Sequence, residues 1–310
     1  MRKWILTTIA LCALAIILAV TSHSGNPVAE SPLKVSTGKL YRLDTFSPEM
    51  NETITVDIWT PDGYSDEMKF PVVYMHDGQN LFDASSTWNR QAWEMDSTAG
   101  RLIAEGKIPP VIIAGIHSID STRIGDLMPC KALQYLTDDS VKSFIGMMCR
   151  NRYRADDYLA FIVNTLKPQV DSLFSTDPRR DATSVMGSSM GGLISVYAMS
   201  EYPETFGGAA CLSTHWSGTI ERNNDFPAAM KRYLTGNLPQ DNNHRLYMDN
   251  GDHTIDSVYI PYFHEMNALA DSLGYHEGDR LLTGFHPGEA HEEQAWARRV
   301  AVPLTFLLSR

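Results

Sequence analysis

The sequence predicts an α/β protein with a mostly parallel central sheet and helices on both faces. From residue 156 onward, short apolar runs alternate with segments whose apolar residues recur at helical spacing. Two earlier apolar runs, 70–75 and 111–116, are continuous, as is typical of central strands that are buried on both sides. Strands and helices that alternate in this way form parallel pairs covered by helices on both faces.

Two strands precede this alternating region. Residues 39–46 and 53–60 alternate apolar with polar side chains, which predicts half-exposed antiparallel strands. Residues 88–106 carry helical spacing and end at a glycine. Residues 117–155 form a long irregular segment, and such segments inside compact domains are usually lids or binding loops.

The remaining elements follow in regular order. The predicted helices cover 156–174, a segment beginning after residue 189, 227–234, 258–273 and 292–308. The predicted strands between them cover 183–186, 208–212, 244–249 and 280–285.

Length and composition are equally compatible with one large α/β domain and with two small ones. The chain has 310 residues, of which 43% are hydrophobic and 20% charged, so it can bury a sizeable core. The formal net charge of -11 argues against nucleic-acid binding, which depends on Lys and Arg neutralising phosphates. No C-x-x-C or paired-histidine spacing indicates a metal site, and we predict no cofactor.

The first 25 residues have the features of a targeting segment. Arg2 and Lys3 precede an apolar run over 5–20, and small residues follow it. We predict a cleaved signal peptide, with a retained signal anchor as the alternative, and therefore an exported protein, periplasmic or secreted. Membrane association is expected only if the leader is retained. Residues 26–37 are predicted to be a linker and 38–310 a single catalytic domain.

A strand-turn-helix segment contains the candidate nucleophile. The run 183–186 leads into Gly187-Ser188-Ser189-Met190-Gly191, and helical spacing follows. Glycines at these positions permit the tight, strained turn that exposes the central serine at the carboxyl edge of a sheet. We predict that Ser189 is a nucleophile and that the Met190 N–H, at the helix N-terminus, stabilises an oxyanion.

A serine nucleophile needs a positioned base and a group that orients the base. Both must come from loops at the carboxyl ends of other strands. His291, in the loop before the last helix, is the predicted base. His286, in the same loop, is the nearest rival, although packing beside the strand end explains it better.

The acid is expected after the strand 244–249. Asp252 and Asp256 are the candidates, and we favour Asp256 because it stands at the far end of the loop. At that position it could also cap the helix that follows. Asp249 is still on the strand, where holding the loop together is an alternative role.

Other residues are assigned by their place at the same edge. Gly78 allows close backbone approach after the strand 70–75, so the N–H of Gly78 or Gln79 is the predicted second oxyanion donor. His76 is expected to brace this loop. Trp216, after the strand 208–212, is a predicted substrate contact, since aromatic faces suit sugar rings or phenolic acyl groups.

Three cysteines lie outside the leader. Cys130 and Cys149 bracket one segment and either form a disulfide or remain two thiols. Cys211 lies in an apolar run and is expected to be buried.

Four segments of the chain resemble the putative-esterase family of α/β-hydrolases, which includes feruloyl, acetyl-xylan and siderophore esterases and esterase D. They are PVVYMHDGQNLFD (71–83), PPVIIAGI (109–116), VMGSSMGG (185–192) and GFHPGEAHEEQAWARRVAVPLTFLL (284–308). The resemblance implies an α/β-hydrolase fold, Ser189 as nucleophile, His291 as base and an oxyanion loop at Gly78-Gln79. The family often places its acid at the position of Thr254, three residues after a glycine.

These observations together predict an exported serine ester hydrolase that acts through an acyl-enzyme on a small-molecule or carbohydrate ester. Removal of acetyl or feruloyl groups from carbohydrate is the favoured activity. A siderophore-lactone or generic short-chain esterase is the alternative. A non-catalytic binding protein on the same fold is the alternative of another class.

Overall fold

A nine-stranded sheet crosses the molecule in the order β1-β2-β3-β5-β4-β6-β7-β8-β9. The structure is a computed structural model that describes residues 28–241 and 243–309. In chain order the strands are β1 (Ala29–Glu30), β2 (Lys39–Ser47), β3 (Glu52–Thr60), β4 (Val72–His76), β5 (Ile112–Ile116), β6 (Thr183–Ser188), β7 (Gly208–Leu212), β8 (Arg245–Gly251) and β9 (Leu281–His286).

The N-terminal strands are antiparallel and the rest are parallel. β1, β2 and β3 form a meander, and β3 joins the edge of the parallel part through β5. From β5 through β4 and β6 to β9, every neighbouring pair is parallel. This arrangement confirms the predicted α/β class with antiparallel N-terminal strands, and it puts the carboxyl ends of six strands at one edge.

Helices cover both faces of the sheet. In chain order they are α1 (Met95–Ala104), α2 (Arg123–Leu127), α3 (Asp139–Met148), α4 (Ala155–Phe161), α5 (Lys167–Leu173), α6 (Met190–Glu201), α7 (Asp225–Asn237), α8 (Asp256–Ser272), α9 (Glu293–Arg299) and α10 (Ala301–Leu308). A π-helical turn, Ile162–Leu166, joins α4 to α5, so the predicted helix 156–174 is one rod with a local bulge.

The two faces of the sheet bury separate apolar cores. Along β4, Val72 and Tyr74 point into a core shared with α2 to α8, whereas Val73 and Met75 point into one shared with α1, α9 and α10. A strand that is buried on both faces has no polar positions to alternate. This explains why its sequence is continuously apolar.

The helix predicted over 88–106 is shorter in the structure and begins at Met95. Glu94 has left-handed backbone angles with φ 52°, which helical geometry does not continue through. The N–H of Trp93 donates to the carbonyl of Asn80, so the residues before α1 are tied to the loop after β4. The segment up to Glu94 therefore forms part of the wall at the carboxyl edge.

The segment 117–155, predicted as irregular, contains α2, α3 and a 3-10 turn at Cys130–Tyr135. The carboxylate of Asp138 accepts hydrogen bonds from the N–H groups of Ser140 and Val141, which caps α3. These helices are short, and they are stabilised mainly by tertiary contacts, which the spacing of apolar residues along the sequence does not reveal. The sequence pattern alone therefore underestimates the order of this segment.

The linker predicted over 26–37 is corrected for its described part, which lies on the domain. β1 pairs with β2, and the side-chain hydroxyl of Ser31 donates to the buried Asp57. The N–H and hydroxyl of Ser36 both donate to Asp96 of α1. Polar side chains in this stretch bond to the domain, although their composition resembles that of a flexible linker.

The predicted last helix, 292–308, is divided at Val300 into α9 and α10. Pro303 lies in the first turn of α10 and has no N–H for a bond to the preceding turn. Cys130, Cys149 and Cys211 are free thiols, so the unpaired alternative holds for the first two. In the described part of the chain, no helix combines the length and hydropathy that a membrane crossing requires.

Candidate active site

Ser189 occupies the sharp turn between β6 and α6. Its backbone has φ 57° and ψ -120°, a region that non-glycine residues rarely adopt, and its N–H donates to the carbonyl of Leu212 on β7 at 2.9 Å. A Cβ on Gly187 would lie 2.8 Å from the carbonyl carbon of Gly191. Glycine is therefore required where the strand meets the first turn of the helix, and Ser189 lines two cavities there.

His291 is joined to Asp256 by a hydrogen bond. The distance from Nδ1 of His291 to Oδ1 of Asp256 is 2.6 Å, and the Asp256 side chain is fully buried. A carboxylate at Nδ1 orients an imidazole so that Nε2 is left to accept a proton. His291 and Ser189 border the same two cavities, so the structure brings all three predicted residues to one edge of the sheet.

The structure distinguishes between the two candidate acids. Asp252 accepts from the N–H of Gly288 at 2.7 Å and from His253, so its carboxylate closes a surface loop. Thr254, where the family often has its acid, accepts a hydrogen bond from the N–H of His291 at 2.9 Å. The backbone of the histidine is thus held by residue 254, and its ring is held by residue 256.

Asp256 is supported by a buried polar network. Its second carboxylate oxygen accepts from the hydroxyl of Ser213 at 2.6 Å and from the N–H of Gly251 at 3.0 Å. Ser213 in turn accepts hydrogen bonds from Trp296 and Arg299. These hydrogen bonds hold the Asp256 carboxylate in one orientation.

Asp249 and His286 lie on the far side of this network from the nucleophile. Asp249 forms a bidentate pair with Arg299, at 2.9 and 3.1 Å, and therefore holds the loop together. His286 lies beside it, with Nε2 3.7 Å from the carboxylate. Since His286 borders neither of the two cavities next to Ser189, the structure leaves His291 as the candidate base.

The predicted oxyanion donors flank Ser189 from two helix starts. Gln79 lies in the 3-10 turn Gly78–Asn80 after β4 and lines the larger cavity, whereas Met190 begins α6 and lines the smaller one. N–H groups in a first helical turn have no partner within the helix. Gly78 is buried and serves close packing, because a Cβ there would lie 2.3 Å from the carbonyl carbon of Gly115.

An ion pair fixes this loop from the other side. Arg123 of α2 donates to both carboxylate oxygens of Asp77, at 2.6 and 2.7 Å. Burial disfavours the charge on Asp77, but the guanidinium more than offsets this effect and lowers the pKa of the carboxyl group. Arg123 borders both cavities and is the only Lys or Arg among the described residues that line them.

His76, at the end of β4, is a buried neutral group that braces the loop as predicted from its position. Its Nδ1 shares a hydrogen bond of 2.7 Å with the hydroxyl of Tyr158. Burial lowers the pKa of His76 from 6.5 to about 4. The described residues include no group of three or more His, Cys, Asp or Glu side chains placed to hold a metal ion.

The larger cavity, about 510 Å³, is polar with an aromatic rim. Trp88 stands at its edge with 86% of its surface exposed. Trp93 and Trp296 form its inner wall, with ring centroids 5.3 Å apart, and Trp296 meets the ring of His291 edge to face. Asp120 and Glu293 add carboxylates to the lining.

Trp216, predicted as a substrate contact, is corrected by the structure. Only 1% of its surface is exposed, and it borders neither of the two cavities. The chain turns immediately after β7, so the indole is directed into the core shared with α7 and α8. Trp88 is the exposed indole beside the nucleophile. A sequence signal could have indicated Trp88, because its loop follows β4, the strand that leads into the predicted oxyanion turn.

The smaller cavity, about 210 Å³, has a mainly apolar lining. It is formed by side chains from α2, α3 and the loops before α7 and α8, namely Ile124, Met128, Phe144, Met148, Ile220 and Ile255. Part of this wall belongs to the segment 117–155, for which a role as a lid or binding loop is predicted. Ser189 and His291 stand where the two cavities meet.

Sequence reasoning missed two polar residues next to Ser189. Tyr259 and His215 both border the smaller cavity and share a hydrogen bond through His215 Nδ1. Tyr259 follows Asp256 by three residues on α8, so both side chains lie on one face of the helix. That spacing is a signal that could have indicated Tyr259 once Asp256 was chosen.

The arrangement has the parts that acyl transfer requires. It combines a strained serine, an imidazole oriented by a buried carboxylate, N–H groups from two helix starts and separate spaces on either side of the reacting position. Such a site can form and hydrolyse an acyl-serine intermediate.

Comparison with curated proteins finds partial relatives of this chain. The uncharacterized protein YbbA of Bacillus subtilis is 26% identical over 161 residues, which cover 51% of this chain and 56% of that protein. An endo-1,4-beta-xylanase/feruloyl esterase of Xylanibacter ruminicola is 24% identical over 182 residues, or 56% of this chain and 21% of that protein. The chain therefore matches about half of the first relative and a fifth of the second.

The fold also matches solved structures. The enterobactin esterase FES of Shigella flexneri, crystallised with 2,3-di-hydroxy-N-benzoyl-glycine, superposes with a TM-score of 0.64 at 17% identity over 91% of this chain and 62% of that one. The family model described as putative esterase matches residues 47–258, which include Ser189 and Asp256. The α/β-hydrolase fold and the predicted resemblance are confirmed, and the chain belongs to the putative esterase family.

Proposed function

We propose that this protein is a serine ester hydrolase that works through an acyl-enzyme. The observation that carries the proposal is that Ser189 and His291 stand at the junction of two cavities while His291 is bonded to the buried Asp256. Family membership supports ester hydrolysis as the reaction.

The geometry supports the following sequence of steps. His291 takes the proton of Ser189 as the hydroxyl oxygen attacks the ester carbonyl carbon. The negative charge on the carbonyl oxygen is stabilised by the N–H groups of Met190 and Gln79. His291 then protonates the leaving alcohol, and a water molecule, activated by the same imidazole, hydrolyses the acyl-serine. Asp256 keeps the proton-accepting nitrogen directed at the serine throughout.

The test of this reaction is hydrolysis of p-nitrophenyl acetate by the wild type and by Ser189→Ala. We expect a loss of at least about a thousandfold in kcat for Ser189→Ala. Ser195→Ala, on α6, is the matched control because that hydroxyl bonds to the Gly191 carbonyl inside the helix. Equal rates for Ser189→Ala and the wild type would exclude Ser189 as the nucleophile, and equal rates at the uncatalysed level would support a non-catalytic binding protein on this fold.

For the substrate, we propose a carbohydrate ester that carries an acetyl or feruloyl group. The polar cavity with the exposed Trp88 suits a sugar as the alcohol part, since aromatic faces stack against sugar rings. The apolar cavity of about 210 Å³ accommodates a planar aromatic acyl group as well as an acetyl group. The similarity to the xylanase/feruloyl esterase supports this class.

A siderophore lactone or a generic short-chain ester is the second candidate, which the similarity to enterobactin esterase favours. A panel of acetylated xylan, feruloylated sugars and a cyclic triserine lactone separates these substrates. We expect the highest kcat/KM on the sugar esters. Preference for the lactone would replace the carbohydrate proposal and leave the ester-hydrolase proposal intact.

We also propose that the protein is exported, on the basis of the basic and apolar pattern of residues 1–25, which lie outside the described residues. Fusion of these residues to a reporter that is active only outside the cytoplasm tests the proposal. Replacement of Arg2 and Lys3 by glutamate should reduce export of the reporter. An inactive reporter in the unaltered fusion would refute it.

A further inference from the structure

Besides His291 and Asp256, a second hydrogen-bonded pair of polar side chains, Tyr259 and His215, lies near Ser189. The hydroxyl of Tyr259 bonds to Nδ1 of His215, and both residues line the smaller cavity together with Ser189 and His291. The ring of Tyr259 stands edge to face between the two imidazoles, with centroids 5.3 Å from His215 and 5.8 Å from His291. The phenol is fully buried, so this packing leaves it one orientation.

The protonation states of Tyr259 and His215 determine how many hydrogen bonds each side chain can donate. Burial, followed by the charge of Asp256, raises the pKa of Tyr259, so the phenol keeps its proton. Burial, together with repulsion from His291 and Arg123, lowers the pKa of His215 to about 3, so this imidazole is neutral and carries one N–H. Each of the two groups can therefore donate one hydrogen bond.

The direction of the bonds follows from the proposed reaction. Ser189 must donate its proton to His291, so its oxygen can only accept from Tyr259. A phenol that donates to Ser189 offers its own oxygen to His215, whose N–H is then on Nδ1. All the donors point one way, from His215 through Tyr259 and Ser189 to His291.

We propose that Tyr259 is a further catalytic residue, whose phenol donates a hydrogen bond to the attacking oxygen of Ser189, and that His215 is the positioning residue that orients it. The inference rests on the proposed ester-hydrolase function. A donor at this oxygen stabilises the negative charge that develops as the serine loses its proton. It also stabilises the same oxygen when it leaves during hydrolysis of the acyl-serine.

The loop geometry supports the role of His215. The backbone N–H of His215 donates to the backbone carbonyl of Ser189 at 3.2 Å, so the histidine is attached to the same turn that carries the proposed nucleophile. Tyr259 comes from the first turn of α8, which also carries Asp256. Asp256 and Tyr259 therefore come from one helix, and a change in the position of this helix would affect both hydrogen-bonded pairs near Ser189.

Tyr259→Phe removes the phenol oxygen and keeps the ring. We expect kcat for p-nitrophenyl acetate, and the rate at which a fluorophosphonate labels Ser189, to fall about tenfold with KM nearly unchanged. The matched control is Tyr262→Phe on the same helix. That buried phenol donates to the carbonyl of Asn223 and borders neither cavity at Ser189, so its loss costs a similar bond without touching the nucleophile.

The role of His215 is tested by two substitutions. His215→Asn keeps a donor near the position of Nδ1 and should retain most of the labelling rate, whereas His215→Leu should lose about as much as Tyr259→Phe. The double variant Tyr259→Phe/His215→Leu should lose no more than either single variant, because His215 acts on Ser189 only through the Tyr259 phenol. A purely structural role would not be rescued by asparagine.

The outcomes distinguish this inference from the proposed function. If wild-type Ser189 is labelled by the fluorophosphonate but Tyr259→Phe matches Tyr262→Phe in kcat and labelling rate, the role of Tyr259 is refuted and the hydrolase proposal stands. If the wild type is neither labelled at Ser189 nor active on any ester, both are refuted.

Discussion

At the scale of single residues, the orientation of one imidazole decides what this site can do. The Asp256 carboxylate is fully buried and bonded to Nδ1 of His291 at 2.6 Å, and two further donors hold its other oxygen. A neutral amide at this position would accept only through its carbonyl oxygen and would not stabilise a protonated ring. In the proposed reaction, the negative charge of Asp256 is therefore the feature of this hydrogen bond that an amide cannot replace.

Asp256→Asn should lower kcat for p-nitrophenyl acetate by at least about a hundredfold, because the imidazolium formed in the reaction loses its counter-charge. Asp252→Asn is the matched control, four residues earlier in the same loop and bonded to His253 and Gly288. We expect its kcat to stay within about threefold of the wild type. A greater loss from Asp252→Asn than from Asp256→Asn would contradict the assignment of the acid.

His76 makes the stability of the protein depend on pH. Its pKa is lowered to about 4 in the folded chain and is 6.5 when unfolded, so the unfolded chain binds more protons between these values. Its contribution to stability is therefore complete above pH 6.5 and is lost as the pH falls towards 4. Between pH 7 and pH 5 the free energy of unfolding should decrease by about 2 kcal/mol through this group.

Urea unfolding of the wild type and His76→Asn at the two pH values measures this contribution. Asparagine can still bond to Tyr158 but does not titrate, and His215 remains in both proteins as a common background. The decrease in the free energy of unfolding from pH 7 to pH 5 should be smaller in the variant. An identical decrease in both proteins would show that His76 is not the titrating group.

At the scale of elements, the turn after β4 is positioned by close contact between two backbones. Gly78 packs on the carbonyl of Gly115 in β5, and Asp77, just before it, has left-handed angles with φ 57°. Arg123 of α2 clamps the same turn through Asp77. The placement of the Gln79 N–H therefore depends on β5 and α2 as well as on the turn itself.

Gly78→Ala should both destabilise the fold and impair the site. The added methyl group would lie 2.3 Å from a backbone carbon that cannot rotate away, so the turn must shift. We expect a decrease of about 1–3 kcal/mol in the free energy of unfolding, and a lower kcat because the Gln79 N–H moves with the turn. Chemical denaturation and turnover of p-nitrophenyl acetate measure the two effects.

Gly236→Ala is the control for this substitution. An added Cβ there meets no atom within 4 Å, and Gly236 lies in the last turn of α7. Alanine favours the helix by up to about 1 kcal/mol relative to glycine, so the variant should be as stable as the wild type or more so. Equal destabilisation by Gly78→Ala and Gly236→Ala would show that the contact with Gly115 is not the cause of the lower stability.

At the scale of the whole molecule, the two cavities are built from segments that lie far apart in the chain. The polar one draws on the loops after β4 and β9, and the apolar one on α2, α3 and the loops before α7 and α8. Because Arg123, Ser189 and His291 are the only described residues that line both cavities, substitutions in one should leave selectivity in the other nearly unchanged.

Ile220→Trp and Trp88→Ala test this separation. Ile220 lines the apolar cavity with 59% of its surface exposed, so a larger side chain can be accepted there while the cavity narrows. We expect it to lower kcat/KM for p-nitrophenyl hexanoate relative to the acetate by about tenfold. Trp88→Ala should leave that ratio unchanged and weaken hydrolysis of acetylated xylan. The reverse pattern would exchange the roles assigned to the two cavities.

Much of the fold was predictable because its signals are local. A strand buried on both faces must be continuously apolar, and a strained serine turn must have small residues around it. Strand β7 and the turn at Ser189 could therefore be located from short stretches of sequence. The order within 117–155 could not, because its short helices are stabilised by contacts such as the ion pairs of Arg154 with Asp126 and Glu52.

The sequence by itself determined the fold class, the nucleophile turn and the loop that carries His291, since each depends on the type and spacing of neighbouring residues. Only the tertiary structure decided that Asp256 rather than Asp252 bonds to His291, that Trp88 rather than Trp216 faces the cavity, and that Tyr259 lines the smaller cavity with Ser189. Those outcomes depend on how side chains pack between distant segments, and the physical reason is that burial and direction are properties of the folded chain as a whole.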